Sequence, residues 1–153
     1  MGDLHLLHQA LFGAIAAAGF GVLFNFGPRA LGWCAAAGAR ALGGRTLGLD
    51  AGWSLEAASF AAAVAASCAV RLFRVWLGAA GNAMALAGCI PMVPGAFFGQ
   101  AILGLFAVTA PHPENVEITI VTAMEYTLRV LFTVGAIGAG LAIPTHLLRN
   151  KDY

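Results

Sequence analysis

The sequence predicts an all-α integral membrane protein, a polytopic helical bundle of about five spans, with four as the alternative. Three observations predict it. Hydrophobic residues make up 60% of the chain and charged residues only 10%, where soluble domains carry roughly 25% charged residues. Mean hydropathy is +0.84. Apolar runs of a length that crosses a hydrocarbon core, about 20 residues each, recur from one end to the other.

The runs are taken in order. Residues 4–24, LHLLHQALFGAIAAAGFGVLF, lack a basic leader and read as a retained span. Residues 29–47, RALGWCAAAGARALGGRTL, are less apolar and carry Arg40 near the middle, so they are either a span or an interfacial helix whose arginine snorkels. Residues 54–72, 83–108 and 118–143 read as three further spans, and the whole chain, 1–153, as a single transmembrane domain.

Charge asymmetry favours five spans. Arg29, Arg71, Arg74, Arg149 and Lys151 then share one side, with Asp50, Glu114 and Glu117 on the other and Arg45 as the main exception. Four spans would scatter the basic residues across both sides. The five-span order puts the N-terminus outside and the C-terminus in the cytoplasm. Trp33, Trp53 and Trp76 stand near span ends, as interfacial anchors do, and APHPENVE, residues 110–117, reads as an exposed turn.

Several function classes drop out. A net charge of +1 with scattered basic residues gives no nucleic-acid footprint. Cys34, Cys68 and Cys89 are isolated in apolar sequence, which suits small buried hydrophobes better than a metal site or a disulfide framework. His5 and His8 share a helix face without a third ligand. No nucleophile with a base and no phosphate-binding loop is visible, so neither an enzyme nor a cofactor is expected.

The stretch CIPMVPGAFFGQA, residues 89–101, interrupts the fourth long run near its midpoint. Pro91 and Pro94 delete backbone donors that Ala87 and Ile90 would use, and an unpaired carbonyl in hydrocarbon costs several kcal/mol unless protein or water meets it. Something must face this mid-membrane break. The second half-helix would begin near Pro94 and Gly95, with free N–H groups and a positive dipole end suited to a substrate carboxylate. A proline kink satisfied by neighbouring helices is the plain alternative.

Glu125 and Arg129 stand four apart on the last span, hence on one face. They form either a structural ion pair or a site for substrate charge and proton coupling, since charges at membrane depth face a cavity or a partner. Asn25, in FNFGPRAL, would cap or turn the chain, and Glu56 suits the first turn of its helix. Ala14 and Ala18, Ala35 and Ala39, Gly95 and Gly99, and Ala136 and Gly140 are each four apart, a spacing that lets helices approach closely and leaves room for self-association.

GFGVLFNFGPRALGWCAAAGA, CIPMVPG and VGAIGAGLAIP, in that order, resemble the threonine/serine exporter family, and in particular the small membrane subunit of its two-component form, the YjjB type. The resemblance implies a heteromeric exporter in the bacterial inner membrane, working with a larger multi-span subunit. Its substrates would be small carboxylated metabolites, threonine and serine or a dicarboxylate such as succinate. Carried over by motif, Asn25, Arg29, Pro91, Pro94 and Gly95 become candidate substrate-site residues. Arg40 and Arg129, as charges able to balance a carboxylate, and Glu125, as a proton carrier, join them on physical grounds alone. The rival expectation is an assembly subunit that stabilises a partner without touching substrate.

Overall fold

The computed structural model describes residues 2–73, 81–109 and 116–147, and among these all regular structure is helical. The helices are α1 (Gly2–Leu23), α2 (Pro28–Asp50), α3 (Leu55–Leu72), α4 (Gly81–Cys89), α5 (Gly95–Val108) and α6 (Val116–Leu147), with a 3-10 turn, Ile90–Met92, following α4. The side chains of Arg71 and Val70, and all of Arg74, Trp76, the linker residues 110–115, Arg149 and Lys151, lie outside the described residues. Val116 and Glu117, expected in the linker, are instead the first residues of α6.

Helices α1 and α6 are each long and apolar enough to cross a membrane, and α4 with its 3-10 turn passes the same test only together with α5. Helix α2 does not pass it. Its 23 residues nevertheless extend about 35 Å at 1.5 Å per residue, more than a hydrocarbon core of about 30 Å.

The chain divides into two compact units, residues 1–92 with 136–153, and residues 93–135. In the first unit α2 is the central helix. It packs antiparallel to α1, since a Cβ on Gly13 would stand 2.6 Å from the Gly38 carbonyl oxygen and one on Gly21 would stand 2.9 Å from Leu31. It packs antiparallel to α3 through Gly48 against Ala58 and Gly44 against Ala62, and parallel to α4 through Ala37 against Gly88. Without side chains at these glycines the backbones come close enough for dispersion to hold them where no hydrophobic drive operates between helices. The tight α1–α2 crossing uses Gly13, Ala17 and Gly38, one residue away from the predicted Ala14/Ala18 and Ala35/Ala39 pairs.

The turns at both ends of α2 are defined by helix stop geometry. Asn25 takes φ 58, the Asn25 N–H bonds Val22 and the Phe26 N–H bonds Gly21, both at 2.9 Å. That is a Schellman ending with asparagine as the left-handed residue. Gly52, at φ 83, repeats it after α2 with Trp53 bonded to Gly48. Pro28 opens α2 at its first position, where a missing N–H costs nothing, and Gly27 is the N-cap residue.

The C-terminal part of α6 runs parallel to α3, with Gly140 so close that a Cβ on it would stand 2.7 Å from the Phe60 carbonyl oxygen. Pro144 lies inside this helix, which continues past the predicted end at 143 to Leu147. Hydroxyls support the perturbed turn: Ser67 and Thr145 both donate to the Leu141 carbonyl, at 3.1 and 2.7 Å. In the second unit α5 and the residues from Val116 to Gly135 form an antiparallel pair, with Gly104 against Ala123 and Phe97 against Tyr126.

Candidate functional site

The helix break is observed where the sequence places it. Helix α4 ends at Cys89, Pro91 sits in the 3-10 turn, Pro94 is the N-cap residue of α5 and Gly95 its first residue. Proline suits position 94 because the N–H it lacks is unpaired at a helix start in any case, whereas Pro91 ends the regular hydrogen bonding of α4. At the break the Val93 carbonyl accepts from the Gly95 N–H at 2.8 Å, and the Met92 carbonyl accepts from a side chain. Arg45 of α2 donates to it from Nη1 at 2.6 Å.

This contact explains the one exception to the charge asymmetry. Side chains on a helix lean toward its N-terminus, so Arg45 reaches back along α2 into the bundle and does not stand in the loop after it. Met92 itself is fully buried, in a cluster with Ala41, Leu42, Ala63 and Cys89. On sequence alone Arg45 is the main exception to the charge asymmetry. The misplacement was the available signal, since a cation on the wrong side of a topology is a candidate for the interior.

Arg40 is on a different face of α2. It lines a cavity of about 270 Å³ walled by alanines of α2 and α3, with Trp33 and Phe73 at one end and Met84 of α4. The two rings are 5.6 Å apart and tilted by 42°. Arg40 is the one charged residue in that lining. The volume lies below the ~300–1,000 Å³ of pockets for drug-sized ligands, a size for one small metabolite. A second cavity of about 340 Å³, between α3, α4 and α6, presents Ser67, Asn82, Thr145 and His146 among apolar residues.

In the second unit, Arg129 Nε donates to Glu125 Oε1 at 3.1 Å. The Arg129 guanidinium lies 5.7 Å from the centre of the Phe97 ring, which stacks on Tyr126 at 5.6 Å. Phe97 belongs to the first turn of α5, so this pair is placed beside the start of the half-helix. A cation there and the positive end of the helix dipole act with the same sign on an anion.

The expected site residues therefore occupy separate places. Pro94, Gly95, Glu125 and Arg129 come together within residues 93–135, Pro91 lies in the turn whose last carbonyl Arg45 holds, and Arg40 lines its own cavity. Asn25 and Arg29 are exposed at the α1–α2 turn, where Asn25 supplies the left-handed residue. Cys34 and Cys89 are buried and Cys68 half-buried. Among the described residues, no group of histidine, cysteine, aspartate or glutamate is arranged to hold a metal ion.

Residues 9–147 match the family model described as Threonine/Serine exporter, ThrE, which covers most of the chain, and the chain belongs to that family. This is a family of transporters and not of enzymes. No solved structure matches the chain.

Proposed function

We propose that this member of the threonine/serine exporter family is the small subunit of a two-component secondary exporter, which moves threonine, serine or a dicarboxylate such as succinate out through the bacterial inner membrane together with a larger subunit. The observation that carries the subunit reading is the Glu125–Arg129 pair. It lies well inside a 32-residue apolar helix, yet 56% and 43% of the two side chains remain exposed. Charges at that depth do not face lipid at equilibrium without a large cost. A partner helix covering them, or a water-filled path shared with that partner, removes the cost.

The topology supports the same reading. Helix α2 follows α1 antiparallel along its length, so a membrane that α1 crosses is crossed by α2 as well. Five spans then keep Arg29 and the C-terminal basic residues on the cytoplasmic side. Export uses the broken helix at Pro91, Pro94 and Gly95 as the substrate-facing element. Arg40 and Arg129 balance substrate charge, Glu125 carries a proton, and Asn25 and Arg29 shape the end of the path at the α1–α2 turn.

The test is efflux of preloaded threonine and succinate from cells carrying this chain, the larger subunit, or both. Efflux that needs both chains is expected. Efflux unchanged by either, with both expressed, refutes the exporter reading. Replacing Pro94 and Gly95 with alanine should lower efflux while membrane insertion stays normal. Full efflux with that variant moves the break from substrate element to simple kink and favours the assembly-subunit alternative.

A further inference from the structure

Arg45 uses one edge of its guanidinium and leaves the other without a partner. Nη1 holds the Met92 carbonyl. Nε is shielded from solvent and has no hydrogen-bond partner, and no bond from Nη2 occurs among the described residues. The sole ion pair among the described residues joins Arg129 to Glu125, so Arg45 has no carboxylate opposite it there. We propose that Arg45 is a carboxylate-binding residue whose Nε–Nη2 edge receives the acid group of the solute that the chain carries.

Three physical points support this assignment. An arginine stays protonated, and a half-buried cation whose Nε is closed to solvent gains from an anion or a full set of acceptors, of which one neutral carbonyl is a small part. The Nε and Nη2 hydrogens are parallel and match the two oxygens of a carboxylate, giving a paired charge-assisted contact that a point charge such as lysine does not reproduce. Nη1 remains on Met92 while the other edge is filled, so a bound carboxylate and the 3-10 turn at the helix break share one rigid planar group. The solute's arrival is thereby felt at the break through a single side chain.

The solute's identity as a small carboxylic acid rests on the exporter reading, whereas the anion site itself rests on Arg45. Two measurements separate them. The first is binding to the purified full chain, together with its larger subunit, read as a shift in melting temperature with threonine or succinate against threonine amide or succinamide. The acids should stabilise the wild type and the amides should not. Arg45→Gln should lose the response. Arg45→Lys, which keeps the charge but not the paired edge, should need at least about tenfold more ligand, the loss expected of one charge-assisted contact.

The second is efflux, where Arg45→Lys should raise the half-saturating internal concentration of substrate at least about tenfold. Wild-type binding that does not distinguish acid from amide overturns the proposal, as does unchanged affinity in Arg45→Gln. Where Arg45→Gln does not accumulate, unchanged affinity in Arg45→Lys overturns it equally. Acid binding through Arg45 without wild-type efflux keeps the site and refutes the exporter reading. Efflux with unaltered affinity in both variants does the reverse.

Discussion

The surroundings of Arg45 and of Arg129 show two ways of keeping a cation in an apolar chain. Arg45 is half-buried on the central helix of its unit, among glycines packed against neighbouring backbones, and its partner is a backbone carbonyl. Arg129 is exposed and paired with Glu125 one turn earlier, and on α5 Gly95 and Gly99 have open space where a Cβ would be, whereas Gly104 packs on Ala123. The first region is complete within this chain apart from one guanidinium edge. The second has its charges neutralised locally but its surface uncovered. The packed region accounts for folding, and the exposed ion pair is the feature on which the proposed partner rests.

The sharpest way to break this comparison is to add side chains to the glycines of each region. Gly38→Val should prevent the α1–α2 crossing, because even a Cβ there would overlap the Gly13 carbonyl and Ala17. Overpacking against rigid backbone costs about 1–3 kcal/mol or more, and sharply reduced accumulation of the chain in membranes is expected. Gly99→Ala meets open space and should gain up to about 1 kcal/mol of helix propensity in the isolated chain. Equal losses at the two positions in a detergent melt would contradict the distinction.

The next effect is on assembly. Arg129→Gln or Glu125→Gln should leave the isolated chain's melting within about 1 kcal/mol, because the pair is exposed. Both should lower recovery of the proposed complex with a larger subunit several-fold, and the exchanged pair Glu125→Arg with Arg129→Glu should restore it. Co-purification yield measures this. Unchanged yield in all three places the pair outside the interface.

The smallest effect belongs to the hydroxyls at the Pro144 turn. Ser67→Ala removes one of two donors to the Leu141 carbonyl and leaves Thr145 as the other, so a loss of about 1 kcal/mol is expected. The double variant with Thr145→Ala should cost more than the sum of the singles, which a double-mutant melting cycle reads directly.

The helices, the break and the pairing of Glu125 with Arg129 were legible in the sequence because each depends on local rules. Apolar run length, proline's missing donor and four-residue spacing act within a few turns of one helix. The weak second run, residues 29–47, is ambiguous for the opposite reason. Helix α2 is the least apolar because its surface is covered by α1, α3 and α4, and coverage by protein relaxes the demand for hydrocarbon-like side chains. The Ala14/Ala18 and Ala35/Ala39 pairs stand one residue from the observed contact because spacing alone does not reveal which face meets a neighbour, whereas Gly140 of the Ala136/Gly140 pair does meet the backbone of α3. Gly13, Ala17 and Gly38 face each other, while the Gly95–Gly99 pair that fits the strict pattern meets nothing within the chain.

By itself the sequence determined that this is a helical membrane protein, that one apolar run is broken at Pro91–Gly95, and that two charges share a face of the last helix. Composition, hydropathy and covalent geometry act residue by residue, so no partner was needed to read them. Only the tertiary structure decided that Arg45 turns inward to the Met92 carbonyl and that Arg40 opens onto a cavity. Side-chain direction across helices depends on rotation and register, which are set when backbones of distant residues meet at their glycines.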